Sequence, residues 1–107
     1  MNYYNPNLIK VVTFGEMRIG DKVFADRVPT LIPYVYRVVR NRDDIPHIAT
    51  TDKGYWHHRN EIWYYLNNIA DDAAGRMFIE CEEEESHNCS NSIPDNTYVF
   101  DDHYPYF

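Results

Sequence analysis

Three side chains in the second half of the chain are of the types that hold a metal ion. Cys81, His87 and Cys89 read C-x5-H-x-C, and Glu85 or a distant histidine would complete four ligands for Zn²⁺. The spacing departs from the paired Cys-x-x-Cys patterns that usually bind zinc, and Cys81 falls on the apolar side of a predicted strand, where a buried thiol is ordinary. His57 and His58 form the second cluster. Adjacent side chains diverge on a strand and on a helix alike, so the two rings do not chelate one ion. With Glu61 a general acid–base pair can be drawn, but no nucleophile is evident and nothing in the local pattern orients it. No catalytic residue, metal or cofactor is expected from these residues.

Charge is the stronger signal. The 107 residues carry 10 Lys and Arg against 17 Asp and Glu, for a net charge of −7. A free-standing binder of nucleic acid needs a basic footprint and is disfavoured. Residues 1–60 hold nine of the bases and six acids, whereas residues 61–107 hold Arg76 alone against eleven acids. The densest part is Glu80, Glu82, Glu83, Glu84 and Glu85, followed by Asp95, Asp101 and Asp102. On a strand, Glu80, Glu82 and Glu84 would share one side at a spacing of roughly 6.7 Å, comparable to successive phosphates. Tyr98, Tyr104 and Tyr106 could then fill pockets that otherwise take bases. The plainer alternative is that an acidic run is a solvated face. Arg37, Arg40 and Arg42, beside aromatics in YVYRVVRNR, are read as partners for the protein's own acids or for an acidic partner, not as RNA ligands.

The elements that would position these residues point to one α+β domain over 1–107, with 86–107 a loop-rich acidic and aromatic tail. Residues 8–13 form an apolar strand, Lys22 to Arg27 alternates as a half-buried strand, and VPTLIP reads as a loop or edge because of Pro29 and Pro33. Tyr34 to Arg40 is the best strand, rich in β-branched and aromatic residues. Residues 47–51 and 97–100 are short strand candidates, and Arg76 to Glu82 alternates again. Asn60 as a cap, Ile62, Leu66, Ile69 and Ala73 on one face, and Gly75 as a stop predict one main helix over about 60–74. The expected sheet is small, antiparallel, twisted or partly barrel-like. No run is long enough to span a bilayer and no leader is evident, so the cytosol is expected, with Cys81 and Cys89 as free thiols.

Phe14, Met17, Gly20, Asp21, Lys22 and Phe24 in VTFGEMRIGDKVF, followed by Tyr34 and Val35, resemble the opening of small bacteriophage early proteins. In size, acidity and aromatic content the chain is similar to anti-CRISPR and antirestriction inhibitors that mimic DNA. The resemblance implies a non-enzymatic inhibitor, monomeric or homodimeric. In the bacterial cytoplasm it would occupy the basic groove of a host nucleic-acid-processing protein and touch neither nucleic acid nor membrane. The clustering of charge and aromatics makes Glu80, Glu82 to Glu85, Asp95, Asp101, Asp102, Tyr98, Tyr104 and Tyr106 the expected contact residues. A virion assembly protein and a small metal-dependent enzyme are the alternatives.

Overall fold

The strand Tyr34–Arg40 (β2) organises the rest of the chain. In its sequence, YVYRVVR, every residue from Arg37 to Arg40 is buried, as is Val35. Burial on both faces suits a strand with parallel neighbours on either side. The computed structural model describes residues 5–65, 77–104 and 106, and it shows those neighbours. Lys10–Phe14 (β1) pairs parallel to β2, with Phe14 opposite Val38. Glu61–Tyr64 (β3) pairs parallel on the other side, with Glu61 opposite Arg37. Phe78–Cys81 (β4) closes the order β1-β2-β3-β4 by running antiparallel to β3. The architecture is α+β, and the sheet is open and mixed rather than antiparallel or barrel-like.

Parallel neighbours require a crossover. The first is the helix Lys22–Leu31 (α1), on residues that alternate like a strand over Lys22 to Arg27. Six alternating residues do not separate period 2 from period 3.6, and here capping decides. Asp21 accepts a hydrogen bond from the Phe24 N–H at 2.9 Å, and Lys22 meets Asp26 one turn on at 3.0 Å. Ala25 is the buried contact of this helix, and Pro29 lies inside it.

The helix expected from Asn60 is also corrected. Glu61–Tyr64 is a strand, and residues 66–76, where most of that helix would fall, lie outside the described residues. Asn60 does not cap a helix: its φ is 73°, its side chain donates to the Val35 carbonyl at 3.1 Å, and its own carbonyl accepts from Arg37 N–H at 2.8 Å. Pairing with β2 outweighs the local helical pattern in Glu61–Tyr64.

Val39, Trp63, Cys81 and Cys89 form the core cluster, with Ile93 packed against it. Cys81 and Cys89 are not free thiols but a disulfide with Cα atoms 6.3 Å apart, tying the end of β4 to the following loop. Beyond it the chain runs through 3-10 turns at Ser90–Ser92, Asp95–Thr97 and Phe100–His103. The strand expected at 97–100 is reduced to a single bridge between Val99 and Asp43. The one expected at 47–51 is replaced by 3-10 turns at Ile45–His47 and Thr51–Lys53. No helix among the described residues is long and apolar enough to cross a membrane.

Val39 is fully buried and Val12 is about half exposed. Val39→Ala should therefore lower the urea-unfolding free energy by about 2 kcal/mol, and Val12→Ala by less than about 1 kcal/mol.

Candidate active site

Residues just past the carboxyl ends of parallel strands are where an open α/β sheet presents its chemistry. β2 ends at Arg40. Asn41 turns the chain with φ 43°, its N–H donating to the Tyr64 carbonyl and its carbonyl accepting from the Trp63 indole N–H at 2.8 Å. Asp43 follows, with none of its surface exposed. A buried carboxylate needs donors, and three converge. Ile45 N–H donates to Oδ1 at 3.0 Å, while His103 Nδ1 lies 2.9 Å from Oδ2 and the Tyr106 hydroxyl donates to the same oxygen.

His103 comes from the far end of the chain and is held from several directions. Val99 N–H donates to the Arg42 carbonyl at 2.9 Å and the Val99 carbonyl accepts from Asp44 N–H at 3.3 Å, which lays the arm alongside the Asp43 loop. Asp102 Oδ2 accepts from the Asn41 side chain at 2.9 Å and from Arg42 N–H at 3.2 Å. Arg40 donates to the Asp102 carbonyl at 2.9 Å and pairs with its carboxylate at 3.5 Å. The Tyr106 hydroxyl also accepts from Arg40 N–H at 2.9 Å. Burial first, and then the bond to Asp43, pushes the phenol well above its usual range, so it stays a donor. Gly15, φ 65°, closes the site from β1. A Cβ there would lie 2.6 Å from the His103 ring and 2.8 Å from Asp43 Oδ2.

This arrangement fixes the histidine. With Nδ1 committed to Asp43, Nε2 is the ring nitrogen left to face an incoming group. The His103 side chain retains 20% exposure, enough for a reacting group to approach. Among the described residues no hydrogen bond joins a serine hydroxyl to this ring. One cleft of about 620 Å³ lies between Lys22, Trp56, Arg59 and Glu82, Glu83 and Glu84, and contains neither Asp43 nor His103. A second, of about 480 Å³, adjoins Asp43 through Asp44.

A second buried network lies under the Asp43 loop. Glu85 accepts from Arg18 Nε at 2.8 Å and Nη2 at 2.7 Å, from His57 N–H at 2.7 Å and from the Asn91 amide at 3.0 Å. Burial alone would raise its pKa, but these donors outweigh it and hold the carboxyl at about 2. Burial, reinforced by Arg18, lowers His47 to about 4; burial and then Arg37 lower His57 to about 2. His58 turns the opposite way and meets Glu16 at 2.8 Å, while His57 Nε2 faces the Pro46 carbonyl at 2.6 Å.

The residues singled out from sequence are therefore dispersed. Glu80 is exposed on β4, the strand ends at Cys81, and Glu82 to Glu85 lie in the turns beyond it, so no phosphate-spaced ladder forms. Glu82 faces Arg59 at 3.8 Å, Glu84 meets Lys22 at 2.8 Å, Glu83 is exposed and Glu85 is internal. Asp95 lies in the Asp95–Thr97 turn and Asp101 is exposed. Tyr98 stacks on His47 at 3.9 Å, Tyr104 is exposed beside the His103 ring at 4.9 Å, and Asp102 and Tyr106 serve the pair itself. The C-x5-H-x-C group is spent on the disulfide, and no cluster among the described residues suits a metal. Asp43 and His103, which form the buried pair, are not singled out by any local pattern. The available signal was an Asp just past a strand buried on both faces, followed much later by a His in an aromatic segment.

Known proteins share this arrangement of chain. Residues 1–53 match the model of the family described as Lipase (class 3). The chain is 33% identical over 114 residues to Lipase ZK262.3 of Caenorhabditis elegans, covering 82% of this chain and 31% of that protein. To a lipase of Rhizomucor miehei it is 38% identical over 96 residues, 89% of this chain and 24% of the relative. Among solved structures, a lipase from Rhizopus microsporus var. chinensis superposes with a TM-score of 0.82 at 30% identity, over 97% of this chain and 34% of that one. A triacylglycerol lipase whose catalytic centre is formed by a serine protease triad superposes at 0.72 with 28% identity, over 92% of this chain and 35% of that one. The chain thus spans about a quarter to a third of the proteins it resembles. These likenesses are to enzymes. They overturn the resemblance to phage inhibitors, the DNA-mimic and anti-CRISPR reading, and the expectation of no enzymatic role. The virion-protein and metal-enzyme alternatives fall with them.

Two outcomes follow from this geometry. Gly15→Ala should displace His103 and abolish its Nδ1 proton resonance by NMR, with a loss of about 1–3 kcal/mol in stability from the left-handed backbone alone. Separately, His47 and His57 take up protons in the unfolded chain near their ordinary 6.5 but in the folded chain only at about 4 and about 2. Their contribution is complete above 6.5 and is lost as pH falls below it. Glu85 adds a second loss between 4.5 and about 2. Thermal midpoints should decline from neutral pH towards 5, and His47→Gln should flatten part of that limb.

Proposed function

We propose that the chain belongs to the class 3 lipases and supplies the acid–base half of a Ser-His-Asp triad that hydrolyses carboxylic esters, acylglycerols foremost. The observation that carries this reading is the 2.9 Å contact between His103 Nδ1 and a fully buried Asp43 past the end of a parallel strand. The order supports it too, since triads of α/β-hydrolases run Ser, then Asp, then His along the chain. The nucleophilic serine would come from the remainder of such an enzyme, of which this chain corresponds to a quarter to a third.

In this reading His103 Nε2 takes the serine proton as the hydroxyl oxygen attacks the ester carbonyl. Asp43 steadies the resulting imidazolium, with Tyr106 holding the carboxylate in place. His103 then returns the proton to the departing alkoxide, and a water repeats the cycle on the acyl-enzyme. Phe100 and Tyr104, exposed beside the imidazole, give its surroundings an apolar rim suited to an acyl chain. The disulfide between Cys81 and Cys89 supports the reading of an oxidising compartment outside the cytosol.

In the polypeptide that carries this segment with its serine, Asp43→Asn should lower kcat on p-nitrophenyl butyrate by about 10⁴-fold, and His103→Ala comparably. Tyr106→Phe should give a smaller loss, of about tenfold, by freeing the carboxylate. Full activity in the His103 variant would refute the assignment.

A further inference from the structure

We propose that Glu85 is a positioning residue for the Asp43–His103 pair, keeping the loop that bears Asp43 and the arm that bears His103 in one register. The inference rests on the reading of that pair given above. It goes beyond the pair to a carboxylate far from it in sequence.

The first connection runs to the Asp43 side. Arg18, gripped by Glu85 through Nε and Nη2, uses its remaining nitrogen, Nη1, to donate to the His47 carbonyl at 3.2 Å. His57, whose N–H donates to Glu85 at 2.7 Å, places Nε2 2.6 Å from the Pro46 carbonyl. Two consecutive carbonyls of the turn that follows Asp43 are thereby fixed by groups anchored on one side chain. The second connection runs to the His103 side. Glu85 accepts from Asn91, next to Ser90, whose carbonyl takes the Tyr98 hydroxyl at 2.8 Å. Tyr98 stacks on His47, and the adjacent Val99 makes the two backbone bonds that align the arm with residues 42–44. Both arms therefore meet at Glu85.

Two further facts separate this carboxylate from its neighbours in the acidic run. Glu85 holds φ at 49°, a conformation that side-chain-bearing residues adopt at a cost and keep when the surroundings over-determine it. Its side chain is 8% exposed, whereas Glu82, in the same run, is 86% exposed. An interior carboxylate with four donors is a fixed point; a surface carboxylate is not.

The test uses the isotope-labelled 107-residue chain and reads the Nδ1 proton of His103, a low-field resonance visible only while the ring is held on Asp43. Asp43→Asn is the reference and should remove the signal. Glu85→Gln leaves too few acceptors for Arg18, His57 and Asn91 together, and should abolish the signal at temperatures where circular dichroism still reports a folded chain. Arg18→Lys keeps the charge but has one nitrogen for two tasks, and should weaken the signal. Glu84→Gln, at the Lys22 surface pair, should leave it unchanged. A Glu85→Gln chain that is folded and keeps the signal overturns the proposal. So does unfolding of both Glu85→Gln and Arg18→Lys in the cold, which would make the network a requirement of folding alone. Persistence of the signal in Asp43→Asn would instead remove the reading of the pair itself.

Discussion

The structure depends on a carboxylate that has no access to water. Asp43 lies at the end of the most buried strand, and an ionised carboxyl there is tolerable only with donors on both oxygens. One comes from its own turn. The other two, His103 and Tyr106, must be brought from 60 and 63 residues away. Much of what the carboxyl-terminal segment does can be understood as delivering them. The bridge at Val99, the anchoring of Asp102 by Asn41, Arg42 and Arg40, and the second bond of Tyr106 to the β2 backbone all converge on that task. A segment built of short 3-10 turns is thus tied down by polar contacts at fixed places, and the His103 ring is held with its Nδ1 on Asp43.

The same logic accounts for the charge asymmetry. Counted along the sequence, the second half is nearly bare of cations and reads as a field waiting for a foreign partner. Counted in space among the described residues, five Lys and Arg ion pairs cross from one half to the other: Arg18 to Glu85, Lys22 to Glu84, Arg37 to Glu61, Arg40 to Asp102 and Arg59 to Glu82. The parallel topology causes this. β2 and β3 lie side by side although a long loop separates them, so Arg37 faces Glu61, its register partner. The exposed pairs contribute little to stability, but the buried ones make each half incomplete without the other.

Legibility followed the same division between local and long-range physics. β2 was readable with its boundaries, because β-branched residues without turn formers admit little else. Strands near β1 and β4 were readable for the same reason. Lys22–Leu31 and Glu61–Tyr64 were not, since a short amphipathic stretch fits both periods until a cap or a neighbouring strand decides. Asp21 decided the first and β2 the second. The site was the least readable part. Cys81, His87 and Cys89 attract attention as a metal set, yet the disulfide takes the sulfurs. Asp43 sits in a turn rich in Asn and Asp where it looks like turn chemistry, and His103 in a tail where it looks like surface. A carboxylate–imidazole pair of this kind is recognised by geometry rather than spacing, because the fold brings together what the chain keeps apart.

Gly15 shows how tightly the strands and the chemistry are bound together. It ends β1, donates to the Val38 carbonyl at 2.9 Å, and holds φ at 65°, so it completes the β1–β2 pairing and turns the chain away in one step. The absence of a side chain leaves the space in which His103 and Asp43 meet. Enlarging the residue would force a choice between keeping β1 in register and keeping the imidazole on its carboxylate. A residue that belongs to the sheet by its backbone and to the site by its missing Cβ constrains both, and this explains why a pair drawn from the two halves of the chain can be held with only a short 3-10 turn around His103.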